Sequence, residues 1–413
     1  MSSLAIAGAV STVAIALAAC SLAEPSDALG PEYVRRIILW GNSSVDDIDH
    51  FPARPIAAAA SPFHFAEAPD EKRVSAAFRR ALEKESAATA QRGDFRDFLA
   101  RNDTTGFIIA EGDRLLFEGY FNGRRRESWQ TSFSMAKSFV STLIGIAIAE
   151  GRIKSVDQPI TDFLPELDPG KFAHVTVRHL LLMSSGFAYD RSKLFGLVDS
   201  PWGDDAKVYL SPYLRKLAFH VQPQRPPQER FQYNNYHPLL LGLILERATG
   251  VSVSAYLETR IWAPLGMEFP ASWSLDSEED GLEKLESGLN ARTIDFAKFG
   301  LLMLRHGAWG DKQIVARDWL DQATAPPQGV PEDYYHHDLF ADDPLFRGDG
   351  GFYSFMWWGY APEGGRRDFF AFGKYGQFIY VAPDKNLFIV RNGSSDGRVT
   401  FWPALLRRLA DAL

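Results

Sequence analysis

The stretch TSFSMAKSF, residues 131–139, opens a long apolar run and contains the pattern Ser-x-x-Lys at Ser134 and Lys137. A serine before an apolar run is an ordinary helix N-cap, because its hydroxyl accepts a hydrogen bond from an unpaired backbone N–H. On a helix, however, positions three apart project to one side, so the lysine amine could reach the serine hydroxyl. The stretch therefore supports two interpretations of Ser134, a helix cap and a nucleophile with its base.

The helix predicted after Ser134 favours the nucleophile. Between residues 134 and 150 Lys137 is the only ionisable residue before Glu150, and apolar residues cover most of the helix circumference, which is typical of a helix buried on nearly all sides. Burial favours a neutral amine, and a neutral amine is a base. The alternative is a lysine that reaches solvent along a narrow polar stripe of small Ser and Thr side chains.

Two further short motifs follow in the chain. Tyr233, Asn234 and Asn235 stand just before another apolar helical run, and Lys374, Tyr375 and Gly376 stand at the head of a strand-like run. Taken singly, the first is a polar turn with an Asn cap and the second is weaker still. Together with Ser-x-x-Lys, in this order and in these contexts, they form a specific combination.

The three motifs resemble those of the serine β-lactamase and penicillin-binding-protein superfamily. The segments VTVRHLLLMSSGF, YNNYHPLLLGLILERATG, FAKFGLLMLRHGAWGDKQIV and GQFIYVAPDKNLFIVRNG are similar to class C β-lactamase-related serine hydrolases. Within that group the likeness is strongest to the 6-aminohexanoate-dimer hydrolase type, alongside carboxylesterases of the same fold. The resemblance covers roughly residues 50–410.

This resemblance implies catalytic roles for three side chains. Ser134 would attack a carbonyl and form an acyl-enzyme. Lys137 would accept its proton, kept neutral by burial and by the like charge of Lys374. Tyr233 would shuttle a proton to the leaving group and help to activate the deacylating water. The oxyanion hole would consist of the backbone N–H groups of Ser134 and Gln377.

The same resemblance implies a set of substrate-binding residues. Asn235, at the third position of Tyr-x-Asn, would position Lys137 or the substrate. Lys374, Tyr375 and Gly376 would line the site, and Lys374 leaves open the binding of a substrate carboxylate. Either Asp204 or Asp205 would reach the cleft.

The composition, 46% hydrophobic and 23% charged, is that of an ordinary globular protein. The length of 413 residues exceeds the usual size of one compact core, so two packed lobes are expected. Strand patterns lie near both ends and helical patterns lie between them. We therefore expect an α/β (α+β) fold, in which an antiparallel sheet built from both chain ends is flanked by helices and stands beside an all-helical lobe. The sheet lobe is predicted from residues 51–150 and 345–413, and the helical lobe from residues 151–344. Of the aromatic pair Trp357 and Trp358, one is expected in the core and one at the cleft.

The N-terminus predicts export. Residues 1–19 are expected to be a signal peptide, because residues 4–19 are uncharged and apolar and fit its h-region. They lead to LAAC, which resembles a lipobox with Cys20 as the lipidated residue. The leader lacks the usual Lys or Arg, so a plain signal or a short anchor are alternatives. Residues 20–50 are expected to be a tether and N-terminal extension. We expect a periplasmic or cell-envelope location, with membrane attachment only through this N-terminus.

Other functions are less compatible with the sequence. A net charge of −8 argues against nucleic-acid binding, which relies on a positively charged surface. We expect no cofactor. We also expect no metal site, because the side chains of adjacent histidines such as His336 and His337 rarely converge on one ion. The predicted partner is a small amide or ester, with β-lactamase or D-amino-acid peptidase activity as alternatives. A non-catalytic envelope binding protein on the same fold would have no need for a buried Lys137.

Overall fold

The computed structural model describes residues 29–83, 94–194, 198–278, 281–337, 344–347, 350–362, 365–399 and 401–413. The predicted signal peptide with Cys20 lies outside these residues. The strands are β1 (Ala53–Ile56), β2 (Ala66–Glu67), β3 (Thr104–Glu111), β4 (Arg114–Tyr120), β5 (Gln130–Thr131), β6 (Lys193–Leu194), β7 (Val198–Asp199), β8 (Ala271–Ser274), β9 (Leu289–Ala291), β10 (Ala308–Trp309), β11 (Lys312–Gln313), β12 (Gly351–Ser354), β13 (Trp357–Tyr360), β14 (Asp368–Gly373), β15 (Gln377–Ala382) and β16 (Leu387–Gly393).

Helices occupy both ends and most of the middle of the chain. They are α1 (Gly30–Trp40), α2 (Glu71–Leu82), α3 (Phe95–Arg101), α4 (Ala136–Ala149), α5 (Pro169–Phe172), α6 (Val177–Leu181), α7 (Asp204–Leu210), α8 (Leu214–Ala218), α9 (Tyr236–Thr249), α10 (Val253–Leu257), α11 (Thr293–Leu304), α12 (Arg317–Ala323) and α13 (Trp402–Ala412). Short 3₁₀ turns include Phe133–Met135, directly before α4.

The main sheet joins the two ends of the chain. Its eight strands run in the order β12-β13-β14-β15-β16-β3-β4-β2, so that β16, near the C-terminus, pairs with β3, near the N-terminus. The pairs are antiparallel except for β2 with β4, which is parallel. The hairpin between β3 and β4 turns at Gly112, whose positive φ of 58° suits a residue without a Cβ. The predicted sheet from both chain ends is confirmed.

Helices cover both faces of this sheet. On one face α11 packs against β15 and β16, and α4 packs against α11, with the rings of Phe139 and Phe299 stacked at 3.7 Å between centroids. On the other face α2 and α13 pack together, α2 against β4 and α13 against β15. Apolar residues on every strand can therefore be buried, which explains the continuous apolar runs of β15 and β16.

Helix α4 is enclosed along most of its length. Every residue from position 136 to 147 is buried, including Lys137 and the small polar residues beside it. The chain leaves the helix at Gly151, which has a left-handed φ of 71°. The predicted burial of this helix is confirmed. Within the described residues no single helix is long and apolar enough to cross a membrane, and one bent pair, α9 with Val253–Trp262, meets the criteria only when combined.

The middle of the chain is mainly helical, but it also contributes strands. Here β8 and β9 join β1 and β5 in a second sheet of order β1-β8-β9-β5. This sheet holds the chain that leads into α4, because Ser132 N donates to Leu289 O at 2.8 Å. The prediction of an entirely helical lobe missed these strands, since runs of three or four residues carry little periodic signal.

Candidate active site

Ser134 lies at the start of the buried helix, in the 3₁₀ turn that precedes α4. The residue before it, Phe133, has a positive φ of 43°, an unfavourable backbone conformation for a large side chain. Its ring is held on both sides, by Tyr375 at 5.1 Å and by Tyr209 at 6.5 Å between centroids. The strained turn presents Ser134, half-buried, to a cleft between the sheet and the helical lobe.

Lys137 stands one helical turn further on and is 1% exposed. Its Nζ lies 2.8 Å from Ser134 Oγ and donates to Glu286 O at 2.8 Å. The pKa of Lys137 is lowered to about 7. Burial is the main cause, the negative charges of Glu286 and Asp205 oppose it, and the positive charge of Arg191 adds to it. The amine is therefore available as a base near neutral pH. The cation that acts on Lys137 is Arg191, where the sequence had suggested Lys374.

Tyr233 completes a group of three converging side chains. It precedes α9 and is buried, with a hydrogen bond to Ser134. Burial raises the pKa of Tyr233 well above its ordinary value, so its hydroxyl keeps its proton at neutral pH. Lys137 Nζ lies 4.9 Å from the centre of the Tyr233 ring, and Trp358 stacks on its other side at 5.6 Å. Two segments about a hundred residues apart thus meet at one hydroxyl.

The sequence predicts that Asn235 positions Lys137 or the substrate. In the structure Asn235 lines the cleft and hydrogen-bonds to Asp205, and its contact with a substrate stays a prediction. Its Nδ2 donates to Asp205 Oδ1 at 2.8 Å, and Lys137 is bound by Ser134 and Glu286 instead. Asp205 also accepts from Tyr189 and Arg191. Asn235 therefore positions Asp205 at the cleft and does not touch the base.

The choice between the two adjacent aspartates is resolved by their partners. Asp205 lines the cleft together with Arg191. Asp204 accepts from the backbone N–H of Asp190 and from the hydroxyl of Tyr236, so it holds the loop in place. Asp205 is thus the residue that reaches the cleft.

Glu286 carries a buried carboxylate that the sequence did not single out. Its Oε1 accepts from Ser287 at 2.9 Å and lies 3.1 Å from the Nζ of the buried Lys284. Its Oε2 is buried without a hydrogen-bond partner among the described residues. The negative charge of this carboxylate acts on Lys137 from beyond ion-pair distance.

The segment Lys374, Tyr375 and Gly376 forms the turn between β14 and β15. Tyr375 and Gly376 both have positive φ, of 65° and 74°. A Cβ on Gly376 would lie 1.9 Å from Nη1 of Arg391, whose buried guanidinium donates to Gly376 O at 2.6 Å. The glycine is therefore required by the packing of the turn, and its predicted contact with substrate stays a prediction.

Lys374 lines the cleft, whereas Tyr375, Gly376 and Gln377 are not among its lining residues. The Gln377 side chain is buried and braces the turn, with Nε2 donating to Gly393 O at 2.6 Å. Gly373, at the end of β14, is the strand residue that packs beside the serine, since a Cβ there would lie 3.0 Å from Ser134 N. The structure thus brings the end of β14 to Ser134, and Gln377, the predicted oxyanion donor, pairs with Gly373 across β14 and β15.

The cleft has a volume of about 330 Å³ and combines the polar groups above with an aromatic wall. Trp358 faces it, whereas Trp357 is fully buried and stacks on Phe299, so the predicted division of the tryptophan pair is confirmed. The sequence missed Arg191, Glu286 and Gly373 because they come from loops and strand ends without a periodic pattern. The residues that line the cleft are Gly41, Asn42, Ser43, Phe133, Ser134, Arg191, Asp205, Ala206, Tyr209, Leu210, Tyr233, Asn235, Glu286, Ser287, Trp358, Phe372, Gly373 and Lys374.

Within the described ranges, no group of three or more His, Cys, Asp or Glu side chains could hold a metal ion. His337 pairs with Asp333 at 2.8 Å, and the aspartates that follow it at positions 338, 342 and 343 lie outside those ranges. The chemistry offered by the cleft is that of a hydroxyl, a low-pKa amine and a protonated phenol, which together suit nucleophilic acyl transfer.

Comparison with known proteins agrees with this fold. The family model described as Beta-lactamase matches residues 92–413. The 6-aminohexanoate-dimer hydrolase of Paenarthrobacter ureafaciens is 24% identical over 316 residues, which are 73% of this chain and 75% of that protein. Esterase EstB of Burkholderia gladioli is 31% identical over 143 residues, 32% of this chain and 36% of the esterase. The structure of a putative 6-aminohexanoate-dimer hydrolase from Bacillus anthracis superposes with a TM-score of 0.73 at 22% identity, covering 94% of this chain and 97% of that one.

Proposed function

The chain belongs to the beta-lactamase family, whose matching relatives here are hydrolases, and from this premise we propose that it cleaves a small amide or ester through an acyl-enzyme on Ser134. The observation that carries the proposal is the distance of 2.8 Å between Lys137 Nζ and Ser134 Oγ, at a lysine whose pKa burial lowers to about 7. A positioned base of suitable pKa is what converts a serine hydroxyl into a nucleophile.

Acylation begins when Ser134 Oγ attacks the substrate carbonyl carbon and Lys137 takes the hydroxyl proton. The resulting ammonium is stabilised by the Glu286 carbonyl and by the negative charges of Glu286 and Asp205. The oxyanion would be bound by the N–H of Ser134 at the helix start. The second donor would lie where the ends of β14 and β15 meet Ser134: Gly373 packs beside the Ser134 N–H and pairs with Gln377, whose backbone N–H is the donor that the resemblance implies.

Proton delivery to the leaving group falls to Tyr233. Its hydrogen bond with Ser134 and its raised pKa support a role as a proton donor that Lys137 reprotonates. Collapse of the tetrahedral intermediate releases an amine or alcohol and leaves the acyl group on Ser134. Water then attacks this ester, and its proton passes to the Tyr233 hydroxyl, which gives its own proton to Lys137. The resulting ammonium returns a proton to Ser134 Oγ as the ester C–O bond breaks, which releases the acid and restores the free serine and the neutral amine.

The cleft supports a small substrate with an apolar portion. Its aromatic wall of Phe133, Trp358 and Phe372 offers contact area, and its volume of about 330 Å³ lies at the lower end of the range of ligand pockets. The relative in Paenarthrobacter is a 6-aminohexanoate-dimer hydrolase, which supports an amide among the substrates to be tested here.

Active-site labelling tests the proposal directly. A fluorophosphonate probe should label the wild-type chain and not Ser134→Ala, while Ser138→Ala, in the same helix, should still be labelled. A panel of p-nitrophenyl esters, p-nitroanilides, nitrocefin and D-alanyl peptides should show turnover that depends on Ser134. Absence of both labelling and turnover in the wild type would exclude the hydrolase and leave a binding protein on the same fold.

A further inference from the structure

Residues 41–43, here called the rim segment, line the same cleft as Ser134 although they lie far upstream in the chain. Gly41, Asn42 and Ser43 stand among the lining residues. They precede the range matched by the family model, residues 92–413. This wall of the cleft is therefore contributed by a part of the chain outside the matched family domain.

The position of the rim segment is fixed by helix α1. Tyr33 and Ile37 of α1 are buried together with Leu210 of α7. The buried guanidinium of Arg36 donates to Leu210 O at 3.2 Å and to Asp276 O at 2.8 Å. Because α7 also carries Asp205 and Tyr209, α1 delivers residues 41–43 to the cleft in a defined orientation relative to the site.

The far end of the rim segment is fastened to the turn between β14 and β15. Lys374 Nζ donates to Ser43 Oγ at 2.9 Å, and the Tyr375 hydroxyl donates to Ser43 O. The turn itself is rigid, since the buried Arg391 donates to Gly376 O at 2.6 Å and to Asn102 O at 2.6 Å. The rim segment is thus held at both ends, by α1 and by this turn.

We propose that the rim segment is a specificity-determining wall of the active-site cleft and that Lys374 and Tyr375 are positioning residues that fasten it. This rests on the proposed hydrolase function. The wall limits the space beside Ser134 and selects compact substrates. The ammonium of Lys374 donates to Ser43 Oγ, so substrate binding does not depend on a carboxylate that pairs with this lysine.

Two ratios of kcat/KM test this role. The first compares p-nitrophenyl octanoate with p-nitrophenyl acetate and reports the space at the wall. The second compares the p-nitrophenyl monoester of glutaric acid with p-nitrophenyl butyrate and reports recognition of a carboxylate. In Lys374→Met, Tyr375→Phe and Ser43→Ala we expect the first ratio to rise, by up to about tenfold or 1.4 kcal/mol, and the second to stay unchanged.

Matched controls separate fastening from general perturbation. Lys385→Met removes an exposed lysine from the next turn, between β15 and β16, and Ser44→Ala removes the neighbouring hydroxyl, which does not line this cleft. Both ratios should stay at wild-type values in these controls. A fall of the second ratio in Lys374→Met with no change in the first would overturn the proposal and make Lys374 a carboxylate ligand.

A variant that narrows the cleft provides a test in the opposite direction. Asn42→Trp adds bulk to an exposed residue of the wall and should lower the first ratio. The control is Leu39→Trp on α1, where Leu39 is 62% exposed, and it should leave the first ratio unchanged. An unchanged ratio in Asn42→Trp contradicts the proposal.

Calorimetric affinities of octananilide and acetanilide for these variants in the Ser134→Ala background give the same comparison without turnover. If Ser134→Ala still hydrolyses the esters, Ser134 is not the nucleophile. The two ratios of kcat/KM can then still be measured in the rim-segment variants, so the two proposals are tested separately.

Discussion

The main-chain carbonyl of Glu286 accepts a hydrogen bond from Lys137 Nζ at 2.8 Å, the same distance that separates this nitrogen from Ser134 Oγ. The carbonyl is a neutral acceptor, so it orients the amine without a direct ion pair that would hold it protonated. The Glu286 carboxylate, fixed by Lys284 and Ser287, acts on the amine only through space. Orientation and charge are therefore supplied by two different groups of one residue.

Replacement of Lys137 by Met should abolish most activity. The side chain keeps its approximate length, but the base that accepts the Ser134 proton is lost. We expect kcat/KM on the best ester to fall by about 10²–10⁴-fold, the usual contribution of a general base. Retention of more than a tenth of wild-type kcat/KM would contradict the assignment of the base.

The same variant should be more stable than the wild type at neutral pH. The pKa of Lys137 falls from 10.5 when unfolded to about 7 when buried, so the unfolded chain binds more protons between these pH values. Wild-type stability therefore rises with pH from about 7 to 10.5, and Lys137→Met lacks this contribution. We expect Lys137→Met to exceed the wild type by about 1–3 kcal/mol in urea unfolding at pH 6.5 and by less at pH 9. An advantage that grows with pH would contradict the lowered pKa.

The pH dependence of kcat/KM should report Lys137. Because only the neutral amine acts as a base, activity should rise through pH about 7. The charges that face the amine are Glu286, Asp205 and Arg191. Glu286→Gln removes a charge that favours the ammonium and should move the rise to lower pH, whereas Arg191→Met should move it to higher pH.

Glu283→Gln is the control for this experiment. Glu283 is buried on the same segment, but it binds Ser254 and Arg54 away from the cleft. Its replacement should affect stability and leave the midpoint of the pH profile in place. Shifts of Glu286→Gln and Arg191→Met in the same direction would contradict the electrostatic account.

Replacement of Tyr233 by Phe should separate the two proton-transfer roles. The ring that stacks on Trp358 is retained, and only the hydroxyl that contacts Ser134 is lost. We expect a larger loss of kcat/KM for p-nitroanilides than for p-nitrophenyl esters, because an amine leaves only after protonation whereas nitrophenolate leaves as an anion. Equal losses on both substrates would exclude Tyr233 as the proton donor to the leaving group.

Gly373→Ala should disturb the oxyanion site. The new Cβ would lie 2.3 Å from Ser132 O and 3.0 Å from Ser134 N, so the strand end and the serine turn must separate. We expect kcat to fall at least about tenfold, given that loss of a single oxyanion donor typically costs 10²–10³-fold. Circular dichroism and thermal unfolding would show whether the fold is retained, and an unchanged kcat would place the second donor elsewhere.

Most of the fold and the three converging side chains could be predicted from the sequence. The isolation of Lys137 in an apolar helix predicts its burial. The order of Ser-x-x-Lys, Tyr-x-Asn and Lys-x-Gly indicates the β-lactamase-like fold through its resemblance to that superfamily. What could not be predicted are contacts between distant loops. Neither the bond of Asn235 to Asp205 nor that of Lys374 to Ser43 leaves a periodic signal, since each depends on how two loops meet in space.

The pairing of β16 with β3 also has a consequence for the order of events during synthesis. These neighbouring strands are separated by some 280 residues, as in the pair Ile389 and Ile109, so the sheet is completed only after nearly the whole chain has left the ribosome. The serine turn rests on β14, which is made late as well. A nascent or prematurely terminated chain therefore contains Ser134 and Lys137 but lacks the strand that confines them, and hydrolytic activity arises only with the finished polypeptide.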